Sequence, residues 1–126
     1  MKRTSDPNLS AAIDERLATA IDRANYQITL NNQKQNARLK LDVDLTFATN
    51  GGLFKVGPEL ISFVQALLSM GHEDAVLIDV NKNPIHIQDL PAFQEMIVEH
   101  YAEAMNEFLT EFKRIQKARK PEALVS

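Results

Sequence analysis

An α+β fold is predicted, on three observations. Residues 37–47 alternate strictly between apolar and polar side chains, the period of a strand with one buried face. Residues 9–25 and 90–119 repeat their apolar positions every three or four residues, the period of amphipathic helices. Glycine, asparagine and proline fall between these stretches, at 50–52, 57–58 and 83–84, where turns and helix starts need them.

The elements follow in order. Residues 1–8 read as a flexible tail in which Ser5 or Asp6 caps a helix and Pro7 occupies its first turn. Leu9, Ile13, Leu17 and Ile21, with Ala20 and Ala24 beside them, form a narrow apolar stripe on a helix over 9–25. Tyr26, Ile28 and Leu30 then alternate with polar residues, and 31–36 is a polar, turn-like run of Asn, Gln and Lys. Ala37, Leu39, Leu41, Val43, Leu45 and Phe47 face one way in the strand, Asn50-Gly51-Gly52 turns the chain, and 53–56 returns. A rival reading carries the first helix on through residue 40. The alternating period and the poor helix propensity expected of the Asn/Gln cluster speak against it.

Gly57-Pro58-Glu59 opens a central helix whose apolar face is Leu60, Ile61, Val64, Leu67 and Leu68, with Gly71 as its C-terminal cap. Residues 75–78 and 85–87 are the two short strands of a second hairpin around Asp79-Val80-Asn81-Lys82-Asn83-Pro84. Asp89 caps the last helix, 90–119, with Pro91 in its first turn. Leu90, Ile97 and Ala104 share one heptad position of this helix and Tyr101, Phe108 and Ile115 another, the pattern of either a packed helix or a short intermolecular coiled coil. Pro121 ends it, and 120–126 is a tail. The mixed β/α body thus spans 26–89. With 126 residues and 44% hydrophobic side chains, the chain is expected to form one domain over 1–126 with a core of its own.

Composition excludes several chemistries. There is no cysteine, hence no disulfide, thiolate metal site or cysteine nucleophile, as suits a reducing compartment. No apolar run reaches the roughly 20 residues that span a bilayer, and no apolar stretch follows Met1-Lys2-Arg3 as a signal peptide requires. His72 stands beside Glu73 and Asp74 in a loop without metal-ligand spacing, and His86 lies between two isoleucines and faces away from them. Glu95, Glu99, Glu103, Glu107 and Glu111 form a carboxylate ladder at intervals of four, but Ile97 stands where a Glu-x-x-His pair with His100 needs a glutamate. Asn50-Gly51-Gly52 lacks the frame of a phosphate loop, and no nucleophile or acid–base constellation is apparent. The chain is therefore expected not to be an enzyme and to need no cofactor or small-molecule substrate.

The net charge of −3 conceals a pattern. Residues 1–40 carry seven basic and four acidic side chains, 41–112 carry two and twelve, and 113–126 carry five and one. Such a layout steers association with other copies or other partners through complementary potentials, unless it only reflects solvated helix faces. Two contact surfaces suggest themselves. One is apolar: Leu9, Ile13, Leu17 and Ile21 at the first helix and Tyr101, Phe108 and Ile115 at the last. The other is a nucleic-acid surface on the hairpin, with Lys34, Arg38 and Lys40 for phosphates and Tyr26 for a stacked base.

Several phrases together resemble small proteins of T4-like tailed bacteriophages, cyanophages included. They are Leu30-Asn31-Asn32-Gln33, Asn36-Ala37-Arg38-Leu39-Lys40, Asn50-Gly51-Gly52-Leu53-Phe54, Glu59-Leu60-Ile61-Ser62-Phe63-Val64, Val76-Leu77-Ile78-Asp79, Asn83-Pro84-Ile85 and Asp89-Leu90. Tyr101, Asn106-Glu107 and Lys117-Ala118-Arg119 in the last helix belong with them, so the likeness covers about residues 26–125. The resemblance implies a virion component or assembly factor in the virion or in the cytoplasm of the infected bacterium. Its partners would be other copies or neighbouring phage structural proteins. The alternatives are a nucleic-acid-binding accessory protein and a small phage regulator of a host protein.

Overall fold

The helical stripe that begins at Leu9 does not stop at residue 25. In the computed structural model, which describes residues 7–118, α1 runs unbroken from Pro7–Asp44. The cap candidates Ser5 and Asp6 and the two tails lie outside the described residues. The predicted strand over 37–47 is thus corrected, and the rival reading prevails. Every second residue of a strand faces one way, but in a helix the same set splits into two i,i+4 pairs on different faces. Ala37 and Leu41 turn inward, buried and half-buried. Leu39 and Val43 turn to solvent, 55% and 71% exposed. The last turn is fixed by Lys40 Nζ donating to Asp44 Oδ2 over 3.1 Å, and by Leu45 N donating to Leu41 O over 2.9 Å.

The remaining elements are β1 (Thr46–Thr49), β2 (Gly52–Lys55), α2 (Pro58–Ser69), β3 (Ala75–Ile78), β4 (Pro84–Ile87) and α3 (Leu90–Lys117). The fold is α+β, with two antiparallel two-stranded sheets, β1-β2 and β3-β4. The chain divides into two compact units, Met1–Gln35 with Lys113–Ser126, and Asn36–Phe112.

The unit of residues 36–112 holds both hairpins. Thr49 pairs with Gly52 across Asn50 and Gly51, whose φ values of 55° and 83° are the positive pair of a type I′ turn. Gly52 itself is not in that region. A side chain there would meet Ile85 Cγ1 at 2.6 Å, so its glycine lets β2 approach β4. Val80 N donates to Leu53 O over 2.9 Å, joining the second hairpin to the first. α2 begins at Pro58 and ends in a Schellman motif: Gly71, at φ 90°, donates to Leu68 O and His72 donates to Leu67 O. Asp89 caps α3, its Oδ1 accepting Ala92 N over 3.1 Å.

The core follows from these placements. Phe54, Val56, Val64, Leu77, Ile87, Leu90, Phe93 and Ile97 are all buried in one cluster, with Phe54 and Phe93 edge to face at 5.3 Å. Tyr101 packs against this cluster. In the other unit, Tyr26 Oη donates to Ala118 O over 2.8 Å, bringing one face of α1 onto the end of α3. Ile115 is fully buried there.

Candidate interaction surfaces

α1 offers a face that its own unit leaves bare. Leu9, Ile13, Leu17, Ala20, Ala24 and Ile28 are spaced 4-4-3-4-4, an 11-residue period of about 3.67 residues per turn. At about 100° per residue these positions stay on one side of the helix. The half-buried Tyr26 and Leu30, the side that meets α3, lie well round from them. Leu17 is 58% and Ile28 59% exposed, and Leu9, Ile13 and Ile21 are close to half exposed. An 11-residue repeat with no internal partner among the described residues is the sequence form of a helix that packs along another helix. Arg16 and Arg23 border this stripe, seven residues apart.

Within 36–112 a groove runs between the last two turns of α1 and residues 106–111 of α3. Ala37, Leu41 and Phe108 form its apolar floor, and Asp44, Glu107 and Glu111 its rim, around a volume of about 420 Å³. Lys40 sits at the mouth, 3.1 Å from Asp44 and 3.4 Å from Glu107. Asp44 and then Glu107 raise its pKa and hold it charged. A smaller hollow of about 200 Å³, lined by Asp44, His100, Glu103 and Glu107, shares Asp44 and Glu107 with the groove. There the His100 ring stacks on Phe47 at 4.4 Å and its Nε2 meets the Asp44 carbonyl, at the negative end of α1. The carboxylate ladder thus drifts as its four-residue spacing dictates. Glu95, Glu99 and Glu103 face solvent, Glu107 meets Lys40, and Glu111 is half-buried.

The two sets of contact residues fare differently. Leu9, Ile13, Leu17 and Ile21 lie at the surface. Tyr101 is half-buried against the core cluster, Phe108 is half-buried in the groove floor, and Ile115 is fully buried. The basic hairpin does not exist, because 26–44 is helical. Arg38 lies over the Phe112 ring at 5.9 Å, Lys40 is paired with carboxylates, and the Tyr26 hydroxyl is engaged by Ala118. Lys34 is half-buried on the same helix.

The second hairpin carries Asp79, a carboxylate whose position as a structural staple the turn composition did not disclose. Its Oδ1 accepts Asn81 N and Asn83 N at 3.0 Å each, and its Oδ2 accepts Leu53 N at 3.1 Å. These backbone donors, Leu53 first and Asn83 next, hold its pKa below the ordinary value against the opposing effect of burial. His86 is exposed and 2.8 Å from Asp74. Among the described residues no group of three or more His, Asp or Glu side chains is arranged to hold a metal ion, and no helix is long and apolar enough to cross a membrane. No family model, no curated protein and no solved structure matches the chain.

Proposed function

We propose that this chain is a non-enzymatic assembly component of a tailed-phage particle, working through protein–protein contacts. The exposed 11-residue stripe on α1 carries the reading. Completing the burial of Leu9, Ile13, Leu17 and Ile28 in the stripe, with Ile21 beside it, all now about half exposed, would contribute roughly 4–7 kcal/mol. That is comparable to the loss of freedom on association, so the stripe needs a second set of contacts beside it to hold a partner. The tailed-phage setting comes from the resemblance of residues 26–125.

The test is sedimentation from cells infected with the parent phage. The tagged chain is expected to travel with particles or their assembly intermediates, and the Leu17→Asp/Ile21→Asp variant to stay in the free fraction. A wild-type chain found only in the free fraction overturns the proposal. Salt-steep binding of the purified chain to DNA or RNA would support the nucleic-acid alternative instead.

A further inference from the structure

We infer that the partner of the α1 stripe is a second copy of this chain, whose acid-rimmed groove receives it. The inference rests on the assembly reading above and names its first partner. Its ground is charge. The unit of residues 1–35 and 113–126 carries ten basic and five acidic side chains, net +5. The unit of residues 36–112 carries four basic and twelve acidic ones, net −8. The sign changes where the fold changes unit, so one molecule presents both halves of a complementary pair.

The local match is closer still. The stripe supplies aliphatic side chains with Arg16 and Arg23 at its border. The groove supplies an apolar floor with Glu103, Glu107 and Glu111 along its edge. Arg16 and Arg23 are about 10 Å apart along α1, and Glu103 and Glu111 about 12 Å apart along α3. Neither arginine has an ion-pair partner among the described residues, and neither does Glu103. Self-docking of stripe on stripe would lack this match, because it sets no carboxylate ladder against the arginines. A stripe-to-groove contact is heterologous: each copy donates one surface and accepts on another, so copies extend into a ring or an open row.

Light scattering after size exclusion tests this on the full-length chain. The wild type is expected to exceed the monomer mass at low salt, to grow with concentration, and to shrink in about 0.5 M salt. Leu17→Ser/Arg23→Ser damages the stripe and Glu103→Gln/Glu107→Gln the groove. Each variant, folded as judged by its melting curve, should associate roughly tenfold or more weakly. Mixed in equal amounts they should yield a capped one-to-one dimer, since one intact stripe meets one intact groove. A groove variant that assembles like wild type overturns the inference, as does a mixture that remains monomeric. A wild type that stays monomeric throughout also overturns it. That last result leaves the assembly reading standing if the chain still sediments with particles.

Discussion

At the scale of single residues, Asp79 and Gly52 tie the two hairpins together. The Asp79 carboxylate accepts three backbone donors, one from the first hairpin and two from its own turn. Its pKa is depressed in the folded chain. The stability it contributes is therefore complete above its ordinary value near 3.8 and is lost as pH falls through the lower folded value. In Asp79→Asn the side-chain oxygen still serves the turn, but an amide N–H now faces Leu53 N–H. Melting curves should show Tm about 5–10 °C lower at pH 7 and a smaller further loss on acidification than in wild type. An unchanged acid slope would remove Asp79 from that role. Gly52→Ala places a methyl group against Ile85 and Phe54 and should cost about 1–3 kcal/mol in denaturant titration, whereas Gly57→Ala meets no atom within 4 Å. The turn at 50–52 was legible in the sequence, because Asn-Gly is the chemistry of a tight hairpin. That Gly52 serves a close approach was not, since its neighbour lies 33 residues away.

At the scale of elements, most of the architecture was legible where two signals agreed. Proline at the start and glycine at the end bracketed α2, and Asp89 with a heptad pattern bracketed α3. The stretch 26–44 was misread because two signals were set against each other. Alternation over eight residues also describes two opposite faces of a helix, and glutamine, lysine, arginine and leucine are all good helix formers. What decides between them is tertiary: Arg38 over Phe112, Lys40 to Glu107, and Lys55 paired with Asp42. A strand and a helix here predict different mutational patterns. In a strand Leu39, Leu41 and Val43 would share the core face and tolerate charge equally badly. In the helix Leu39→Glu and Val43→Glu should each shift stability by no more than about 0.5 kcal/mol, and Leu41→Glu should cost about 2 kcal/mol or more. The candidate surface was legible in part for the same reason. Its four aliphatic residues announced a helix face, but only the structure shows that this face is bare while Ile115 is buried.

At the scale of the whole molecule, the charge imbalance acts on stability and on association with opposite signs. Twelve acidic and four basic side chains within 36–112 repel one another when ions are scarce, and five of the acids sit at four-residue intervals along a single helix. Added salt shortens the reach of that repulsion, from about 30 Å at 0.01 M to about 3 Å at 1 M. The melting temperature should therefore rise with sodium chloride between about 0.01 and 0.5 M, by a few degrees. The same ions screen the attraction between the net +5 unit of one copy and the net −8 unit of another, so the mass seen by light scattering should fall over the same range. Hydrophobic self-association alone gives the reverse of the second trend, because salts excluded from apolar surface strengthen burial. Measuring both on one salt series separates the cases. A rise in Tm with falling mass fits charge-driven docking on a self-repelling body. A rise in both would assign the contact to the apolar stripe alone and leave the acidic groove without a part in it.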